Sequence, residues 1–199
     1  MLVYRNPIHQ ESQGRYNIIL NPEQQRIVDA IWEDESHMVS MIHGVTGSGK
    51  TEIYMELIAR TIAENRQAIV LIPEIALTYQ TVMRFYRRFG DRISIIHSRL
   101  SAGEKYDQFQ RAENGDIDIM IGPRSALFTP FPRPGLVIID EEHESSYKSE
   151  TTPRYHARET AIELARMESA KVILGSATPS LEAYYRAKKG EYALYTLNR

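Results

Sequence analysis

No cysteine occurs anywhere in this sequence. Disulfides and thiolate-ligated zinc centres are thereby excluded, and no zinc is expected in this segment. There is also no unbroken apolar run of the roughly 18 to 20 residues that a membrane helix requires. The opening stretch MLVYRNPIHQESQG lacks the apolar core of a signal peptide. A cytoplasmic chain with no membrane partner is therefore expected. A basic excess is missing too, since 24 Lys and Arg stand against 26 Asp and Glu for a formal charge of −2. No whole-molecule field draws such a chain to nucleic acid, so any contact of that kind has to come from a local patch. What is present suits one folded domain with its own core: 199 residues, 42% hydrophobic and 9% aromatic.

Residues 1–19 hold Pro7 and Gly14 without a helical apolar period, which predicts a linker or the tail of a preceding domain, with the body over 20–199. In that body short β-rich runs (38–43, 68–72, 93–96, 117–121, 136–139 and 171–175) alternate with helical stretches. Such alternation predicts an α/β fold, a mostly parallel sheet with helices on both faces. After Lys50 the residues Ile53, Leu57, Ile58 and Ile62 share one helical face, the face that packs on the sheet. The proline-rich stretch from Pro123 to Pro134 reads as an irregular surface loop. Arg84, Arg87 and Arg88 share a helical face, where phosphate contact and a plain solvated surface are both open readings.

The run Gly44-Val45-Thr46-Gly47-Ser48-Gly49-Lys50-Thr51 matches G-x-x-x-x-G-K-[ST] between a predicted strand and a predicted helix. Glycines let the backbone wrap a phosphate with its N–H groups, and the helix N-terminus adds positive potential. Lys50 is then placed to reach the β- and γ-phosphates of a nucleotide such as ATP, and the Thr51 hydroxyl to ligate Mg²⁺. The bland alternative, a glycine-rich turn that happens to precede a lysine, does not account for the strand and helix around it.

A second element, Leu136-Val-Ile-Ile-Asp140-Glu141-Glu142-His143, delivers acids at the carboxyl end of an apolar strand, where ligands sit in open parallel sheets. Asp140 suits Mg²⁺, directly or through water, and Glu141 suits orienting and deprotonating the water that attacks the γ-phosphate. Without the glycine-rich loop upstream, such a cluster would read as a solvated turn or a helix cap. A kinase or nucleotide-dependent ligase would share the loop and the aspartate. The following glutamate favours water as the nucleophile.

Asp140-Glu-Glu-His143 and Gly175-Ser-Ala-Thr-Pro-Ser180 resemble motifs II and III of superfamily 2 helicases, in the expected order. Further segments narrow the resemblance to the first, RecA-like lobe of the replication-restart helicases: LNPEQ (20–24), GVTGSGKTE (44–52), LIPEIALT (71–78), HSRLSAGEK (97–105), IGPRSALFTPF (121–131) and SYKSETTPRYHARE (146–159). The resemblance implies that Gln24 recognises adenine, that Ser176 and Thr178 couple hydrolysis to lobe movement, and that His143 joins the nucleotide site to that coupling. It implies 3′-to-5′ movement on single-stranded or forked DNA and replication-restart proteins as partners of the full-length protein. It implies, too, a second helicase lobe beyond the residues given.

A single-stranded DNA site combines cations with aromatic faces on which bases stack. Tyr147-Lys148 and Arg154-Tyr155-His156-Ala-Arg158 interleave these types and resemble the family's DNA-sensing aromatic-rich loop. Arg124 and Ser125 follow a predicted strand end and resemble a DNA-backbone-contacting motif. An ordinary exposed segment with half-buried tyrosines is the competing reading of 147–158. At the level of function the competitor is a nucleotide-switched adaptor that recruits replication proteins to DNA without needing to unwind it.

Overall fold

A computed structural model describes residues 18–198. The expected linker over 1–19 falls almost wholly outside them. Ile18 and Leu20 already pack against the core. Seven strands form a single sheet in the order β3-β4-β2-β5-β6-β1-β7. These are β1 (Val39–Gly44), β2 (Gln67–Leu71), β3 (Ile93–Ile95), β4 (Ile119–Gly122), β5 (Pro134–Ile139), β6 (Lys171–Ser176) and β7 (Ala193–Leu197). Every pairing is parallel. The central strands β2, β4 and β5 are buried along their whole length, which is why they read as continuous apolar runs.

Successive residues of a strand face opposite sides of the sheet, so the strands feed two cores. Ile42, Val70, Ile121 and Ile138 meet α1 (Pro22–Glu33), α2 (Lys50–Ala63) and α3 (Tyr79–Phe89), which present Ile27, Ile31, Ile53, Leu57, Ile58 and Phe85. Met41, Leu71, Met120, Val137 and Leu174 meet α4 (Ala102–Glu113), α5 (Ala157–Glu168) and α6 (Leu181–Lys188). On that second face the helices offer mainly alanine, namely Ala112, Ala157, Ala161, Ala165, Ala183 and Ala187. Small side chains let these helices lie close to the strands. The α/β architecture with a parallel sheet and helices on both faces is thus as the sequence predicts.

Three local features differ from expectation. Strand β7 was not apparent because it is an edge strand with only Leu197 fully buried, so its apolar pattern is weak. The stretch 123–134 is a surface loop only in part, since Ser125, Phe128, Pro130, Pro132 and Arg133 are exposed. Its 3-10 turn Arg124–Phe128 buries Ala126 and Leu127, Phe131 joins the same core, and Pro134 opens β5. A high proline count marks irregular backbone, but irregular backbone still packs when apolar residues punctuate it. Two of the α3 arginines are engaged within the protein: Arg84, still exposed, pairs with Glu52 at 2.6 Å, and the partly buried Arg88 pairs with Glu56 at 2.7 Å. These ion pairs bind α3 to α2, leaving Arg87 outermost.

The topology positions the site. Strand β6 lies between β1 and β5, with His43 in register with Ser176 and Ile139 with Leu174. The carboxyl ends carrying Gly44, Ser176 and Asp140 are therefore neighbours, although the three residues are far apart in sequence.

Candidate functional site

The loop after β1 needs glycine at two turns, since Gly47 has φ +80° and Gly49 φ +96°, both left-handed. Gly49 then starts α2, and no side chain caps that helix, whereas Asn21, Thr78, Ser101, His156 and Ser180 cap the other five α-helices. The first N–H groups of α2 are left for something else to satisfy. Val45, Thr46 and Gly47 are exposed, and Thr51 is partly buried at the head of the helix. Lys50 is buried and folds back over the loop, its Nζ donating to the carbonyls of Gly44 at 2.5 Å and Val45 at 3.1 Å. Ser48 Oγ is buried without a hydrogen-bond partner among the described residues. A folded-back lysine, an unsatisfied hydroxyl and an uncapped helix start form a cradle suited to phosphate oxygens.

Gln24 closes the cradle from α1. It sits in a capping box with Asn21, its Oε1 accepting from Asn21 N at 2.9 Å, and its Nε2 donates to the Gly49 carbonyl at 3.1 Å. A Cβ at Gly49 would stand 2.2 Å from that Nε2, so the glycine also makes room for the glutamine. One Nε2 hydrogen and one Oε1 lone pair remain for a base. The cleft that results has a volume of about 630 Å³ and is lined by Ile18, Gln24, Lys50, Thr51, Asp140 and Glu141 among others. That volume is typical of small-molecule sites.

Asp140 stands at the carboxyl end of β5, mostly buried, and burial pushes its carboxyl above the usual range while Tyr54 and Lys50 pull it back. The Tyr54 hydroxyl donates to Asp140 Oδ1 at 2.8 Å. The Tyr147 hydroxyl reaches the main chain instead, donating to Asp140 O at 2.5 Å and Leu71 O at 3.1 Å. Glu141 is partly buried and has φ +50°, a left-handed conformation that costs a non-glycine residue on the order of 1 kcal/mol. Burial and the adjacent Asp140 raise its carboxyl as well, making it a better proton acceptor near neutral pH. A raised proton affinity on a partly buried carboxylate lining the cleft suits proton transfer.

His143 links this cluster to β6. Its Nδ1 lies 2.6 Å from Ser176 Oγ, and its Nε2 lies 3.6 Å from Glu141 Oε2. Ser176 Oγ in turn accepts from Thr178 N at 3.0 Å. Glu142, to which the sequence assigned no role, is buried and anchors the far end of the same turn: it accepts from Ser180 N at 3.0 Å and from Arg158 Nη1 at 2.9 Å. The turn 176–180 is thus pinned at both ends by two adjacent residues, His143 and Glu142. The sequence signal for Ser180 was its place one residue before a helix, as an N-cap; Glu142 carried no signal beyond its neighbours.

The segment expected to meet DNA divides into an inside and an outside. Tyr147 and Arg158 are corrections to the expected DNA surface. Tyr147 is 1% exposed beneath Asp140, and Arg158 is 2% exposed, pairing with Glu142 and, at 2.8 Å, with Glu182. Neither is accessible to a base or phosphate. His156 is partly buried as the N-cap of α5, its Nδ1 accepting from Arg158 N, and burial holds its ring below the ordinary proton affinity. Lys148 and Arg154 are exposed. Lys148 and His156 form an antiparallel bridge, which makes 149–155 a closed excursion. Arg124 holds its base, donating to Ser146 O and Lys148 O at 3.1 and 2.6 Å, with its guanidinium 5.3 Å from the Tyr155 ring centroid. Ser125 is exposed beside it. Arg124, Ser125 and Tyr155 border a second cleft, of about 320 Å³, that shares the strand-end face with the first.

The DEAD/DEAH box helicase family model matches residues 21–187. The replication restart protein PriA of Bacillus subtilis (strain 168) is 49% identical over 199 residues, covering 98% of this chain and 25% of the relative. Those of Chlamydia pneumoniae and Haemophilus influenzae are 44% and 43% identical, covering 90% and 92% of this chain and 24% and 25% of theirs. The chain therefore spans about a quarter of the length of these relatives. Among solved structures, RecG bound to a three-way DNA junction aligns with a TM-score of 0.65 at 22% identity, over 92% of this chain and 24% of that one. The DUF1998 helicase MrfA bound to DNA aligns with a TM-score of 0.63 at 17% identity, over 90% of this chain and 27% of that one.

Proposed function

This chain belongs to the DEAD/DEAH box helicase family, and from that premise we propose that it is the ATP-binding motor lobe of a 3′-to-5′ DNA helicase acting in replication restart and primosome assembly. Residues 20–199 form the lobe, and 1–19 are a linker or the tail of a preceding domain. The observation that carries the reading is a chain of contacts: the phosphate cradle faces Asp140 and Glu141, and His143 ties that pair to Ser176 at 2.6 Å. A motor needs such a link, because a change at the γ-phosphate has to reach residues that move.

In this reading the backbone of 44–51 and Lys50 hold the phosphates, and Gln24 reads the adenine. Thr51 and Asp140 offer the hard oxygen ligands that Mg²⁺ prefers, and no cation pairs with the Asp140 carboxylate among the described residues. Bound Mg²⁺ supplies positive charge against the β- and γ-phosphates. Glu141 takes the proton of the attacking water. Ser176 and Thr178 register the outcome through His143. Lys148, Arg154, Tyr155, Arg124 and Ser125 border the path of single-stranded or forked DNA. The second lobe contributes charge in the transition state, an effect worth about 10³- to 10⁵-fold for arginine fingers in general.

The first test is equilibrium binding of fluorescent Mg·ADP to this chain and to Lys50→Ala. Saturable binding that the substitution weakens by about 10- to 100-fold supports the motor-lobe reading, and equal binding by both proteins would sink it. ATP turnover by the chain alone is expected to be slow, and Glu141→Gln in the full-length protein is expected to keep ATP binding while losing hydrolysis. The intact Asp140-Glu141 pair argues against an adaptor that never hydrolyses. Assays of unwinding and of replication-protein recruitment on full-length Glu141→Gln, which is expected still to bind ATP, separate the two: a nucleotide-switched adaptor keeps its recruitment and its role in restart without unwinding, whereas a motor loses that role with unwinding.

A further inference from the structure

We propose that Tyr54 is a positioning residue for the metal-side carboxylate: from inside α2 its hydroxyl fixes one oxygen of Asp140 and so presents the other for Mg²⁺. The proposal rests on the reading of Asp140 given above.

Tyr54 is 1% exposed, one turn beyond Lys50, among Ile53, Leu57 and Ile58 on the face that packs against the sheet. A phenol in such a place requires a partner for its hydroxyl. The partner is Asp140 Oδ1, at 2.8 Å, and Tyr54 is the one side chain hydrogen-bonded to that carboxylate among the described residues. The backbone of Asp140 is held by other groups. Its N–H donates to Leu71 O at 2.9 Å, and its carbonyl accepts from Tyr147. Main chain and side chain are thus held largely by different groups: the Glu141 N–H also bears on the carboxylate, and the Tyr54 hydroxyl is the side-chain hydrogen bond that orients it.

Gly175 supplies an independent observation. A Cβ there would fall 1.6 Å from the Tyr54 hydroxyl oxygen and 3.3 Å from Asp140 Oδ1. Its backbone is not in the left-handed region, so the glycine is needed for space. Strand β6 gives up a side chain immediately before Ser176 so that the phenol can pass beneath it to Asp140. The contact therefore joins three elements: the helix that begins at the phosphate cradle, the acidic run, and the strand that ends in the coupling turn. A carboxylate free to rotate would spend part of its time turned from the metal. A hydrogen bond on one oxygen removes that freedom, as outer-sphere partners of metal ligands commonly do.

The test is binding of fluorescent ADP to the chain at equilibrium, with and without Mg²⁺, for the native sequence, Tyr54→Phe, Asp140→Asn and the double substitution. The quantity read is the factor by which Mg²⁺ tightens binding. Tyr54→Phe is expected to lower that factor about tenfold, the lower end for loss of an outer-sphere partner, while leaving Mg²⁺-free binding as it was. In the Asp140→Asn background Tyr54→Phe is expected to change nothing further. A purely structural role would weaken Mg²⁺-free and Mg²⁺-dependent binding alike, and that result would overturn the proposal. So would an Mg²⁺ factor unchanged in Tyr54→Phe but reduced in Asp140→Asn, which leaves the reading of Asp140 standing. An Mg²⁺ factor unchanged in Asp140→Asn would overturn both.

Discussion

The loop Gly44–Thr51 and the segment Tyr147–Arg158 both serve the acidic run 140–143, and they are built in opposite ways. The loop works through its backbone. Its glycines set the path, its N–H groups point where no side chain competes, and the side chains it adds to the cradle are few: Ser48, Lys50 and Thr51. The segment works through side chains that part company: Tyr147 and Arg158 go inside to hold Asp140 and Glu142, and Lys148 and Arg154 stay outside. A backbone motif constrains spacing tightly, so its residue roles follow from order. A pattern of cations and aromatics constrains only composition, and composition does not say which side chain faces water.

The largest effect that would sharpen this contrast is Arg158→Ala. Both partners of the Arg158–Glu142 pair are buried, with side chains 2% and 0% exposed. Removing one partner of a buried ion pair costs about 3–5 kcal/mol because the other charge is left uncompensated. In a chain of this size that lowers the thermal midpoint by roughly 10 °C. A calorimetric midpoint within a degree or two of the native value, together with weaker DNA binding, would return Arg158 to the DNA surface.

On the loop side, Lys50→Ala should do the reverse. Nζ donates only to carbonyls that phosphate contact would free, so the midpoint should hardly move. Loss of a charged hydrogen bond to phosphate should weaken nucleotide binding about 10- to 100-fold. If the midpoint falls sharply instead, the folded-back lysine is a structural brace.

The contrast also explains what was readable. The fold and six of its strands followed from apolar periodicity, because a sheet buried on both faces leaves continuous apolar runs. Gly44–Thr51, Asp140 and Glu141 came together as expected because each sits at a strand's carboxyl end, and a parallel sheet brings those ends to one edge. Tyr54, Glu142, Arg158 and Ser180 were not readable in the same way. Tyr54 sits within an apolar helical face and looks like core until its hydroxyl is traced. Glu142 and Arg158 are charged residues whose burial depends on each other, and no single-residue rule predicts a pair separated by sixteen positions.

A smaller effect of opposite sign is expected at Asp140. Burial raises its folded-state pKa above the ordinary 3.8, so the folded chain holds that proton more tightly than the unfolded one. The charged carboxylate therefore subtracts stability at neutral pH, and the subtraction fades as pH falls toward 3.8. Asp140→Asn, neutral at every pH, should raise the metal-free thermal midpoint at pH 7, by less than Arg158→Ala lowers it. The gain should shrink steadily on acidification. A destabilised Asp140→Asn at pH 7 would mean that the Tyr54 hydrogen bond outweighs the cost of burying the charge.

The smallest changes belong to the outer half of the segment. Lys148 and Arg154 are exposed and neither forms an ion pair among the described residues, so Lys148→Ala and Arg154→Ala should leave the midpoint in place. If the segment borders single-stranded DNA, each substitution should weaken binding by about two- to fivefold near physiological salt. Each should also make the dependence of log K on log salt shallower by about 0.7, the counterion share of one phosphate contact on a single strand. Salt titrations by fluorescence anisotropy measure both quantities at once. A fall in affinity with an unchanged salt slope would point to lost stacking or packing, most directly at Tyr155 beside Arg124. Unchanged affinity and slope in both variants would move the DNA path away from 148–154 and leave the whole segment, inside and outside, as scaffolding for the acidic run.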